Sequence, residues 1–222
     1  MKKNRIISLL CILCLLFSLT GCGTTKAVKE TANTFLTATT TADMETISAN
    51  CTEEVLSQMG LEILTPAYNE TAFYASLDIE KDSLEKAAQA SISDFYNKYS
   101  KSVIQSYEIT DVEVNDGVGT VYATLSTYSR ESIATLSGED FHNEIIALMQ
   151  TYQQAHMREL ISIKVNNGEE AMMIKIFNDL MPDIMTLMKN KLDSFSYSDV
   201  NIVLFIEDTG DGFRVTGAGI TE

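Results

Sequence analysis

The apolar positions of the chain fall into two periods, and their order predicts the fold. Val28, Ala32, Phe35, Leu36 and Thr39 recur at three- and four-residue spacing and predict one amphipathic helix. It should give way at Thr39-Thr40-Thr41, whose β-branched side chains disfavour helix. Asp43 can cap a second short helix, with Met44 and Ile47 inward. Thr52 before Glu53 and Glu54 opens a third, with Val55, Leu56 and Met59 toward the core and Gly60 as its stop. Residues 61–80 have no clear period. Pro66 breaks them, and Ala72 to Leu77 reads equally as a short strand or a helical turn. Asp82 with Glu85 three positions on has a capping-box arrangement, and Leu84, Ala88, Ile92, Phe95, Tyr99 and Val103 form the stripe of the helix that follows.

The period then changes to two. Tyr107 and Ile109 lie on one alternation, Val112 and Val114 on the other, so a β-bulge is expected near Thr110-Asp111. Asn115-Asp116-Gly117 is a hairpin turn, and Val121, Ala123 and Leu125 alternate in the returning strand. A helical stretch interrupts the strands. Ser137 and Asp140 mark its start, and Phe141, Ile145, Met149, Tyr152, His156, Leu160 and Ile163 keep helical spacing. Asn166-Asn167-Gly168 breaks it. Met172, Ile176, Phe177, Leu180, Ile184, Met185, Met188 and Leu192 continue with a wide apolar face, and Pro182 should kink this helix or start a new one after Met181. Residues 160–177 also fit a β-hairpin around the glycine; the flanking helical spacing favours helices. A second hairpin closes the chain. Val200, Ile202, Leu204 and Ile206 alternate, Asp208 to Gly212 turn, and Phe213, Val215 and Gly217 share a face.

The first twenty-two residues follow neither rule. A basic start (Lys2, Lys3, Arg5) precedes an apolar run from Ile6 to Leu19, too short for a membrane span of about 20 apolar residues. This is the layout of an export signal. It ends in Leu19-Thr20-Gly21-Cys22, which resembles the lipobox of bacterial lipoproteins. That resemblance implies cleavage after residue 21, diacylglycerol on the Cys22 thiol and a chain held on the outer face of the cytoplasmic membrane. Residues 22–26 would be a lipidated tether and residues 27–222 a single domain.

Charge sharpens this picture. Without the signal, 16 − 3 = 13 Lys and Arg stand against 31 Asp and Glu, a formal charge of −18. Such a surface repels phosphate backbones and anionic headgroups, so nucleic acid is excluded as a partner and membrane attachment falls to acyl chains. Cys11 and Cys14 leave with the signal, so Cys51 has no disulfide partner and is expected to be a small buried residue.

The order of elements resembles the nuclear transport factor 2-like superfamily, as carried by lipoproteins of Gram-positive bacteria. The residues behind this are Phe35-Leu36 and Ala38, then Asp43-Met44-Glu45 and Ile47, then Thr52-Glu53 and Val55, followed by the two hairpins. Asp211-Gly212-Phe213 stands where such proteins often have Gly-Lys-Trp. The resemblance implies an α+β cone: N-terminal helices packed on a curved antiparallel sheet, with a long helical hairpin, residues 138–195, inserted between two β-hairpins.

Catalytic signatures are sparse. His142 and His156 are fourteen apart, about 21 Å along a helix at 1.5 Å per residue, which rules out a shared metal. No nucleophile elbow, Walker loop or dinucleotide fingerprint occurs, and no cofactor is implied. Glu207, Asp208 and Asp211 depart from calcium-loop spacing and read as a turn. Asp94, Tyr96, Tyr122 and Tyr128 could serve a cone-fold enzyme, although nothing ties them to one pocket. Seven methionines lie between Met149 and Met188, and Met181, Met185 and Met188 share one helix. Closely spaced thioethers can hold copper; an adaptable apolar face is the plainer reading. The expectation is a non-enzymatic module for an apolar ligand or an envelope protein partner, with Met181, Met185 and Met188 at its binding surface. A cone-fold enzyme is the alternative.

Overall fold

The computed structural model describes residues 23–221. The expected export segment, residues 1–21, and Cys22 lie outside the described residues. The described chain is α+β, with one four-stranded antiparallel sheet in the order β1-β2-β3-β4. The helices are α1 (residues 23–41), α2 (Met44–Asn50), α3 (Glu53–Gln58), α4 (Pro66–Ser76), α5 (Lys86–Ser102), α6 (Arg130–Ala134), α7 (Glu139–Asn167) and α8 (Glu169–Asp193). The strands are β1 (Ile104–Asn115), β2 (Val118–Tyr128), β3 (Tyr197–Asp208) and β4 (Phe213–Ile220). Among the described residues no helix is long and apolar enough to cross a membrane. Contacts group the chain into two compact units, each treated by itself.

Among the described residues, unit 1 holds residues 23–61, Ser106–Ser126 and residues 199–221. The expected stripe of α1 is its core: Val28, Ala32, Phe35, Leu36 and Thr39 are all buried. The expected tether is already helical from residue 23. α1 gives way at the last of the three threonines, as expected, with Thr39, Thr40 and Thr41 turning their hydroxyls back onto the carbonyls of Leu36, Thr37 and Ala38. Ala42 adopts φ 54°, and the Asp43 N–H donates to the Ala38 carbonyl at 2.9 Å. This left-handed position strains a side chain that a glycine lacks. Ala42→Gly should therefore raise stability by about 0.5 kcal/mol, read as a higher urea midpoint at unchanged slope. Asp43 caps α2 by accepting from the Thr46 N–H at 3.1 Å.

The β1–β2 turn takes the two positive φ angles of a tight hairpin, at Asp116 (53°) and Gly117 (85°). Burial in β1 slips by one step at Thr110-Asp111, with Tyr107 and Ile109 half-buried before it and Val112 and Val114 after it. A second irregularity was not expected. Ile206 faces Val215 while Phe205 faces Gly217, so Thr216 is an extra residue in β4. Val215 and Gly217 consequently lie on opposite faces, contrary to the simple alternation. Val215 is fully buried, and the Phe205 ring covers Gly217, where an added Cβ would meet it at 3.1 Å. The edge of β4 also receives α3: Cys51 bridges to Val215, and the Thr52 N–H donates to the Val215 carbonyl at 3.0 Å.

Unit 2 holds Glu62–Gln105 and Thr127–Ser198. Residues 61–80 resolve as a 3-10 turn and then α4, with Pro66 in its first turn, where the missing N–H costs nothing. Ala72–Leu77 is the end of that helix, not a strand. Asp82 does not cap α5. It sits in a 3-10 turn, Lys81–Ser83, and the N–H of Glu85 is satisfied from α8 by the Asn178 side chain at 2.7 Å. Residues 160–177 are helical apart from Gly168, which reverses the chain at φ 95° between α7 and α8. Pro182 neither ends α8 nor starts a new helix; α8 runs through it to Asp193.

Candidate functional site

The wide apolar face of α8 divides between two neighbours. Ile176, Leu180 and Ile184 meet Leu160, Leu148, Met149 and Tyr152 of α7. The stripe beside it runs along α5. Polar contacts mark that seam, from Asn178 on Glu85, through Lys189 on Asp94, to Asp193 on Lys98 at 2.5 Å. Met181 and Met185 lie on this stripe at 2% and 0% exposure, and Met188 is half-buried. The apolar surplus expected to meet a partner is met by α5 instead. Met181 and Met185 form part of the interior of unit 2 and display no docking surface.

The other residues singled out do not converge. Asp94 is paired with Lys189. Tyr96 packs edge-on against Phe73 and Phe95, and burial pushes its phenol to about 12. Tyr128 packs edge-on against Phe195 and tilted against Tyr99 and Tyr197, and burial pushes its phenol to about 12. Tyr122 is a half-buried strand residue of unit 1. The 208–212 turn spends Asp208 on the Gly210 N–H at 2.9 Å. Among the described residues no three His, Cys, Asp or Glu are grouped to hold a metal.

One ionic cluster joins α7 to α8. Tyr152 donates to Asp179, which also accepts from Lys175 at 2.7 Å, and Lys175 reaches Glu159 at 3.7 Å. His156 stacks on Tyr152 and shares a hydrogen bond with Glu159 at 3.1 Å. Burial and then the Asp179 bond push the Tyr152 phenol well above its usual range. Burial works to raise Asp179, but the bonds from Lys175 and Tyr152 outweigh it and hold the carboxyl low. The cluster pins the helix pair.

A cleft in unit 2 has the features of a binding site. One wall is the first two turns of α8. Glu169, Glu170, Met173, Ile174 and Phe177 line it. At 100° per residue they occupy an arc of about 140°, so a single helix face presents all five. The other wall is the chain after α4: Leu77, Asp78, Ile79, Glu80 and Ser83. Its shape is set by Asp78 at φ 54° and by the Ile79 N–H reaching back to the Tyr74 carbonyl at 3.2 Å. The cleft measures about 520 Å³, within the range of about 300–1,000 Å³ for small-molecule sites. Five apolar side chains floor it: Leu77, Ile79, Met173, Ile174 and Phe177. Four of these are half-buried and Met173 is 39% exposed.

No protein-family model matches the chain, nor does any curated protein or any solved structure. Two other hollows differ from the α8 cleft in lining. A 510 Å³ groove between α7 and α8 has Leu148, Leu187 and Ala147 as its apolar lining and otherwise polar residues. A 350 Å³ hollow in unit 1 is lined by threonines, among them Thr34, Thr37 and Thr41, whose hydroxyls are engaged with Glu30, Tyr107, Thr37 and Ala38. The sequence reading missed the α8 cleft because half of it comes from the unreadable stretch 61–80. The available signal was the second methionine of Met172-Met173, beside Glu169 and Glu170 on one helical face.

Proposed function

We propose that the chain is a lipid-anchored extracytoplasmic lipoprotein, held on the outer face of the cytoplasmic membrane through Cys22, and that its folded part is a non-enzymatic module for an apolar ligand. In this reading the fold is of the nuclear transport factor 2-like kind, with α7 and α8 as a helical hairpin inserted between two β-hairpins of a curved sheet. The observation that carries the binding function is the apolar floor of the α8 cleft. Large apolar side chains left open in a concavity are unusual on a protein surface and mark contact sites. The address rests on the order of parts in residues 1–22, and a formal charge of −18 leaves acyl chains as the means of holding the membrane.

The address has a direct test. Cys22→Ser should give a protein that no longer partitions with membranes, while wild-type protein should show by mass a chain beginning at an acylated Cys22. A wild-type mass that includes residues 1–21, or an unmodified Cys22 thiol, would overturn the lipoprotein assignment.

A further inference from the structure

The rim of the α8 cleft differs sharply from its floor. Asp78, Glu80, Glu169 and Glu170 stand around the opening, all exposed. Two nearby cations are engaged elsewhere. Lys81, next in the chain to Glu80, is bound at 2.9 Å to Glu70, a carboxylate only 9% exposed. Lys175 is held by Asp179. Lys164 meets Glu169 at 3.2 Å and neutralises that one rim residue alone. Asp78, Glu80 and Glu170 are left as three uncompensated negative charges over an apolar floor.

Resting on the binding reading above, we propose that the cleft takes an organic cation: a small molecule with an apolar body and a positively charged head. The body would lie on Leu77, Ile79, Met173, Ile174 and Phe177. The head would stand among Asp78, Glu80 and Glu170, with the Phe177 ring able to face it. A rim of one sign over low-dielectric walls concentrates counter-charged ligands, and an anionic amphiphile is repelled by the same groups. The volume fits a small molecule better than a peptide helix, whose diameter with side chains is about 10–12 Å.

The test compares three ten-carbon amphiphiles below their micelle concentrations: decyltrimethylammonium, decyl maltoside and decanoate. Calorimetric titration would use the signal-free chain with Cys22→Ser. Decyltrimethylammonium should bind at least tenfold tighter than decyl maltoside, and decanoate weakest. Neutralising the rim (Asp78→Asn, Glu80→Gln, Glu170→Gln) should erase the preference. An equal change of net charge in unit 1 (Glu108→Gln, Glu113→Gln, Glu207→Gln) should leave it. Met173→Gln should weaken cationic and uncharged probes alike. Equal binding of the cationic and uncharged probes would overturn the cation assignment but leave the apolar-ligand reading standing. Loss of preference in the unit 1 variant would also overturn it, since the effect would then belong to overall charge. No binding by any of the three would remove both. A cationic amphipathic peptide that displaced decyltrimethylammonium and bound tenfold tighter would make the occupant a peptide and overturn the small-molecule assignment.

Discussion

Met185→Glu should unfold unit 2. The side chain is fully buried, on the stripe of α8 that runs along α5 between the Asn178–Glu85 and Asp193–Lys98 contacts. A carboxylate there must either stay charged without a partner or take up a proton, and both choices are costly. The loss should exceed about 4 kcal/mol, against a total stability of about 5–15 kcal/mol for a typical domain. Met188→Glu, at a half-buried position on the same helix, should cost only about 1–2 kcal/mol. Urea melts followed by helical circular dichroism separate the two. A Met185→Glu protein that melts like wild type would show that this stripe is not interior and would restore it as a docking face.

Gly119→Ala should have the second largest effect, for the opposite reason. Gly119 lies in β2 under α1, and a Cβ built on it would stand 2.4 Å from one Val28 methyl carbon and 2.6 Å from the other. Val28 cannot move aside easily. A valine in a helix has essentially one χ1 rotamer, and this one is fully buried. The single methyl group should therefore cost about 2–3 kcal/mol through overpacking. The companion change Val28→Ala removes the obstructing methyls, so the double variant should recover much of that loss. A coupling above about 1 kcal/mol in the four-member cycle is expected. If the two losses simply add, helix and strand are not in this contact.

How far the sequence carried depended on where each decision was made. The stripes of α1 and α5 and the Asp116-Gly117 turn were legible because each was decided within a few residues. The start of α5 was not. Asp82 and Glu85 have the spacing of a local cap, yet Asn178, 93 residues away, satisfies the Glu85 N–H. Pro66 was read as a breaker although it occupies the first turn of α4, and the two roles look alike without a strong apolar period after it. The extra residue at Thr216 leaves no mark, because Gly217 has no side chain to betray its face. The methionines were read as part of a wide, adaptable apolar face on α8. What the spacing could not say was that the second contact, α5, lies within the same chain. The cleft was hidden for a related reason: one of its walls comes from residues 77–83, whose path depends on Asp78 taking a left-handed φ.

The small strand-edge bridge at Cys51 has a redox consequence. The thiol is 3% exposed, and burial, only partly offset by the nearby Arg214 charge, pushes it up to about 11. Only about one molecule in ten thousand then carries the thiolate at neutral pH, and the thiolate is the form that attacks disulfides or is oxidised. Among the described residues Cys51 is a free cysteine. In the extracytoplasmic setting proposed above, a free cysteine invites mispairing between molecules, but this one is withdrawn on two counts, access and ionisation. The pairing of α3 with the edge of β4 therefore also protects the chain from its own chemistry. Cross-linking through Cys51 becomes a property of unfolded molecules, and the folded protein can persist among oxidants without a reductant to maintain it.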